Sequence, residues 1–114
     1  MINLLVSEAY ALDYLSILQI KAKRKVVALS DVTPILMQLF TEIGKDKLID
    51  IMSSRIYLDL YKVNEELFDA MNGAPKDEVK ASEIHRLNTA RFNAKKALQD
   101  KFFDTEYGEK KSGN

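Results

Sequence analysis

The chain contains no cysteine, no tryptophan and a single histidine, and its net charge is zero. Without cysteine there is no disulfide scaffold, no thiol catalysis and no thiolate metal site, and a reducing compartment is allowed. His85 alone cannot form a histidine-rich metal centre, so neither a metal nor another cofactor is expected. The 17 Lys and Arg residues are balanced by 17 Asp and Glu. That denies the chain the basic excess from which nucleic-acid binders draw their affinity. The longest uncharged run, Val32 to Thr41, is about half the ~20 residues that a membrane-spanning helix needs. The opening Met1 to Glu8 has no basic n-region and is interrupted by an acid, which is not the pattern of a signal peptide. Nucleic acid and membrane are therefore not expected partners, and the cytoplasm is the expected location.

What is present is 114 residues, 46% hydrophobic and 30% charged, the balance of one globular domain with a real core. The domain is expected to cover residues 1–114, with polar residues 104–114 as a tail. The only β-rich stretch, Val26-Val27-Ala28-Leu29, is too short to outweigh helical periodicity elsewhere, so the expected class is all-α with four helices. Helix 1 should run from Glu8 to about Val26, with Ser7 as N-cap and the cations Lys21 to Lys25 at its negative end. Helix 2 follows Ser30 or Thr33, takes Pro34 in its first turn, and stops at Gly44 as a left-handed cap. Helix 3 should extend from near Asp46 to Met71, before the stop Asn72-Gly73-Ala74-Pro75. Its expected stripe is Ile49, Met52, Ile56, Leu60, Val63 and Leu67. Helix 4 begins between Lys76 and Ser82, with Ser82 as a cap, and ends at Phe103. Acids outnumber bases in helix 3 and bases outnumber acids in helix 4. The expected centrepiece is therefore a long antiparallel helix 3–helix 4 hairpin, with helix 1 packed along it.

Helix 4 also carries the constellation with most chemical content. Ile84, Leu87, Ala94, Leu98 and Phe102 form one apolar stripe, and His85, Phe92 and Phe103 form a second. Between them runs a polar lane of Asn88, Arg91, Lys95 and Gln99. A lane bordered by apolar groups on both sides is expected to be covered, and covered cations need partners. Helix 1, apolar nearly all round, offers one acid on that surface, Asp13. Arg91 is its expected partner, because guanidinium holds a carboxylate through two parallel hydrogen bonds. Two readings follow: a buried network that sets the register of helix 1 on helix 4, or a cleft in which Arg91, Lys95 and Asn88 receive an anionic small molecule. His85 suits a hydrogen-bonded packing residue better than a general base. Tyr10, Tyr14, Tyr57 and Tyr61 at one-turn spacing suit the edge of a core.

Several of the same residues carry a likeness. Ser7, followed by Asp13-Tyr14-Leu15-Ser16-Ile17-Leu18-Gln19-Ile20-Lys21, resembles the opening of an uncharacterised family of small bacterial and phage helical proteins. Asn64-Glu65-Glu66-Leu67-Phe68-Asp69 is similar to that family's second block. Ile84-His85, Asn88, Arg91, Lys95 and Gln99 match the spacing of its third, and Glu109-Lys110-Lys111-Ser112 its close. Val26 to Lys62 is unmatched, and Ala9 and Tyr10 stand where the family commonly shows Gly-Glu. The resemblance implies a shared fold and a shared site at Asp13, Asn88, Arg91 and Lys95, and no reaction.

The expected function is binding or assembly without catalysis, through a helical surface or through the polar lane, for which Asp13, His85, Asn88, Arg91, Lys95 and Gln99 are the candidate ligand-binding residues. The rival is a small helical enzyme of the chorismate mutase type, with Arg91, Lys95 and Gln99 stabilising a dianionic transition state. That type's first-helix spacing is not matched here. An enclosed cavity with converging cations would favour the enzyme; Arg91 already occupied by Asp13 would favour the network. Finally, Ile51 and Leu58, two turns apart beside Arg55 and Lys62, suggest a homodimer closed over the back of helix 3.

Overall fold

The computed structural model describes residues 5–72 and 81–103, and these form five α-helices with no strand among the described residues. They are α1 (Glu8–Lys23), α2 (Leu29–Ile43), α3 (Lys45–Met52), α4 (Arg55–Asn72) and α5 (Ala81–Phe102). The all-α class holds. The expected count of four does not, because the segment read as one helix from Asp46 to Met71 is broken at Ser53 and Ser54. The Ser54 hydroxyl donates to the Ile51 carbonyl at 2.6 Å and accepts the Tyr57 N–H at 3.2 Å. One side chain thus closes α3 and caps α4, a serine habit that competes with helix continuation.

The break changes the phase of the apolar stripe. Ile49, expected in the core, is half exposed, whereas Leu48 and Ile51 are fully buried. In α4 the interior positions are Tyr57, Leu60, Asn64 and Leu67. Ile51 is therefore closed inside the monomer while Leu58 remains at the surface, so the pair expected to close a dimer is split.

Helix α1 is central: it packs against α2, α4 and α5, and it buries Ala9, Leu12, Leu15, Leu18 and Ile20. It ends at Lys23 rather than Val26 in a Schellman turn. Lys25, at φ 62°, donates its N–H to the Ala22 carbonyl, and the Val26 N–H reaches the Lys21 carbonyl at 2.7 Å. Helix α2 starts at Leu29, earlier than expected, so Pro34 lies beyond the first turn. In place of a serine or threonine cap, the Asp31 carboxylate accepts the N–H of Ala28 at 3.1 Å. Gly44 ends α2 as expected, at φ 100°, with its N–H on the Phe40 carbonyl. Ser82, expected as a cap, lies inside α5.

The contact between α4 and α5 is the most extensive in the molecule. Yet the acids Glu65 and Asp69 of α4 meet Lys23 and Arg24 at the end of α1, rather than bases of α5. Helix α5 runs antiparallel to α1: Gln99 lies at Glu8 and Ala9, and Arg91 lies at Asp13. The expected tail 104–114 and the block Glu109 to Ser112 fall outside the described residues.

Candidate functional site

Asp13 points into the packed region between α1, α4 and α5, and its side chain is 4% exposed. Arg91 holds it through one edge of the guanidinium: Nε donates to Oδ1 at 3.1 Å and Nη2 to Oδ2 at 2.6 Å. Lys95, one turn further along α5, places Nζ 3.8 Å from Oδ2. From α4, Asn64 Nδ2 donates one proton to Asp13 Oδ1 and another to Ser16 Oγ, both at 2.8 Å. Ser16 passes its own proton to the Asp13 carbonyl at 2.7 Å. A buried carboxylate is tolerable only under such conditions, with its charge matched and its lone pairs occupied. Every buried side-chain nitrogen and oxygen among the described residues has a hydrogen-bond partner.

Gln99, also expected in the polar lane, serves a different purpose. Its Oε1 accepts the N–H of Ala9 at 2.9 Å, and its Nε2 donates to Glu8 Oε1 at 2.9 Å. Ser7 Oγ takes the N–H of Tyr10. The first turn of α1 thus has two of its free donors satisfied, one by its own cap and one from α5. Arg91, Lys95 and Gln99 therefore all face α1. Asn88 and His85 are exposed and stand apart from this network. Asn64 and Ser16 were not anticipated. A signal existed for Asn64: it sits in register with Leu60 and Leu67 on the interior face of α4.

Two further polar features flank the network. Tyr57 donates its hydroxyl to Gln19 Oε1 at 2.8 Å, and burial, aided by the charges of Tyr61 and Asp13, raises its phenol well above the ordinary value. At the end of α1, Arg24 binds Asp69 through both terminal nitrogens and reaches Glu65 at 3.2 Å, where Lys23 also lies. Hydrogen bonds from these cations hold both carboxyls below the usual range.

An open groove lies elsewhere among the described residues. Of about 690 Å³, it runs between α1 and α2, walled by Tyr10, Ala11 and Tyr14 on one side and by Ile35, Leu39 and Ile43 on the other. None of Asp13, Asn88, Arg91, Lys95 or Gln99 lines it. Among the described residues that do, Lys47 is the only cation, and its Nζ sits 4.6 Å over the ring of Phe103. No group of metal-ligating side chains occurs among the described residues, and no described helix is long and apolar enough to cross a membrane. Comparison with protein-family models, with curated proteins and with solved structures found no match.

Proposed function

We propose that the protein is a non-catalytic helical binding or assembly module whose Asp13–Arg91 network is structural. The observation that carries this reading is the occupation of Arg91: the Nε–Nη2 edge of its guanidinium is bound to Asp13, with Asn64 completing the carboxylate. An anion taking the edge of Arg91 that binds Asp13 would have to displace a buried aspartate already held from α4 and α5. That exchange gains little and strands a charge. Lys95 is drawn to the same carboxylate, so the two cations of the expected lane face inward, while Asn88 is at the surface.

The chorismate-mutase-like alternative needs several cations converging on enclosed space. Among the described residues, the groove between α1 and α2 is lined by one cation, Lys47, beside the acids Glu8 and Glu42, and Lys95 of α5 approaches it only behind the Tyr10 ring. Binding is accordingly assigned to the groove.

A thermal-shift screen against phosphorylated sugars, nucleotides and dicarboxylates tests the reading, because a ligand of the native state raises stability by mass action. The expected result is no shift from these anions. A saturable rise that disappears in Arg91→Met and Lys95→Met would restore the anion site.

A further inference from the structure

The groove between α1 and α2 has the form of a seat for one more helix. On α2 its lining residues are Ile35, Gln38, Leu39, Glu42 and Ile43, which is one continuous face at helical spacing. On α1 the face is Ser7, Tyr10, Ala11 and Tyr14, continued by Val6 before the helix begins. From Ile35 to Ile43 is ~12 Å at 1.5 Å per residue, a little over two helical turns. Two helices lying side by side with their shared trough open leave the position of a third bundle member vacant.

Part of the exposed apolar surface lies along the same trough, while Val26, Leu29, Met37, Ile49, Leu58, Met71 and Phe92 are exposed elsewhere. Leu5, Val6, Tyr10 and Tyr14 are each about half exposed or more, and all four line it. Contiguous apolar surface of this kind marks an interaction site more often than a solvated face. The two tyrosines supply broad, stiff contact area with a polar tip, the side chain most suited to an interface anchor.

Charge distinguishes one end of the trough from the other. Glu8 is tied to Gln99, and Phe103 lies one turn beyond Gln99 on the same chain. Lys47 rests on the Phe103 ring, and Glu42 is separated from Lys47 only by the turn around Gly44. Glu8 and Glu42 therefore sit at the same end; of the lysines near it, Lys47 lies over the Phe103 ring, and Lys95, which lies over the Tyr10 ring, is drawn inward to Asp13. That end favours a basic visitor.

We infer that the α1–α2 groove docks an amphipathic helix of a partner protein, with apolar anchors at i, i+4 and i+7 and basic residues at the end that meets Glu8 and Glu42. This inference rests on the assignment of binding to the groove made above, and it names the class of partner. Tyr10 and Tyr14 are the anchoring residues and Glu42 the residue that selects charge. The mode is that of a helix laid into a groove, recognised by one apolar stripe and its flanking charges.

The test uses the full chain, labelled with nitrogen-15, and two synthetic 15-residue helical peptides. Both carry leucine at i, i+4, i+7 and i+11; one is flanked at both ends by lysine, the other by glutamate. The expected result is a saturable shift of the amides of Ser7–Tyr14 and Ile35–Ile43 with the lysine-flanked peptide, at least tenfold tighter than with the glutamate-flanked one. Glu42→Lys, at an exposed position, should erase that preference, and Tyr14→Ala should weaken binding at least tenfold with the spectrum otherwise native. Equal affinity for the two peptides, or no saturable shift, overturns the proposal. Shifts confined to α4 and α5 overturn this site while leaving a binding module elsewhere. Groove amides that move when the free protein is diluted mean that a second copy fills the trough. Groove amides that move on deleting residues 104–114 assign it to the chain's own end. Either of these last results also overturns the partner helix.

Discussion

Replacing Arg91 with methionine should destabilise the protein more than replacing its partner Asp13 with asparagine, and the asymmetry follows from exposure. The Asp13 side chain is 4% exposed and that of Arg91 30%. When Arg91 is removed, a carboxylate is left inside the helix packing, a change that costs about 3–5 kcal/mol when a buried pair is broken. Lys95 at 3.8 Å and Asn64 at 2.8 Å remain to soften the loss, so about 3 kcal/mol is expected. In Asp13→Asn the guanidinium can turn its outer edge to water, and about 2 kcal/mol is expected from the lost charge-assisted bonds. The double variant removes both halves and should be less unstable than the sum by about 1.5 kcal/mol or more. Urea denaturation followed by circular dichroism gives each midpoint, with an unchanged slope confirming that the unfolding transition is the same. For a domain of this length Arg91→Met should lower Tm by roughly 12 °C, at ~4 °C per kcal/mol. Single-variant effects that add to within about 0.5 kcal/mol would refute the coupling.

Three other outcomes follow from named contacts. Gln99→Leu leaves the Ala9 N–H without its acceptor and should cost about 1–3 kcal/mol in the same denaturation assay. Lys25 holds a left-handed backbone at φ 62°, so Lys25→Gly should raise stability by about 0.5 kcal/mol, the steric relief exceeding the added chain entropy. Glu65 and Asp69 have folded-state pKa values below their ordinary 4.5 and 3.8, so their contribution is present above about pH 4.5 and is lost as pH falls through the lowered values. Arg24→Met should therefore flatten the acid limb of the stability–pH curve below that point, an effect that added salt weakens in the wild type.

The sequence exposed the network only where composition made it conspicuous. Asp13 interrupts an otherwise apolar helix, and the cations of α5 lie between two apolar stripes, so their meeting could be argued from the cost of burial alone. Ser16 carried no such mark within Leu15-Ser16-Ile17-Leu18, because a serine can satisfy itself on its own helix. Asn64 was passed over because either Val63 or Asn64 can bridge Leu60 and Leu67 at helical spacing, and the apolar one is the natural core residue; the break at Ser53 and Ser54 was hidden too. No glycine or proline announced that break, which depends on one hydroxyl closing one helix and opening the next. The groove was illegible for another reason. Tyr10 and Tyr14 have the spacing of a core edge, and only the placement of α2 beside α1 shows that they wall open space.

The central claim is that Arg91 is an internal lock and does not receive ligands. Its Nε–H, donated to Asp13 Oδ1 at 3.1 Å, provides a direct reporter. A nitrogen-15 spectrum of the arginine side chains should show this proton protected from exchange and unmoved as inorganic phosphate or succinate is added to the full chain. A saturable shift of the Arg91 Nε–H resonance with either anion, accompanied by faster exchange, would show that the pair opens to a ligand and would contradict the account.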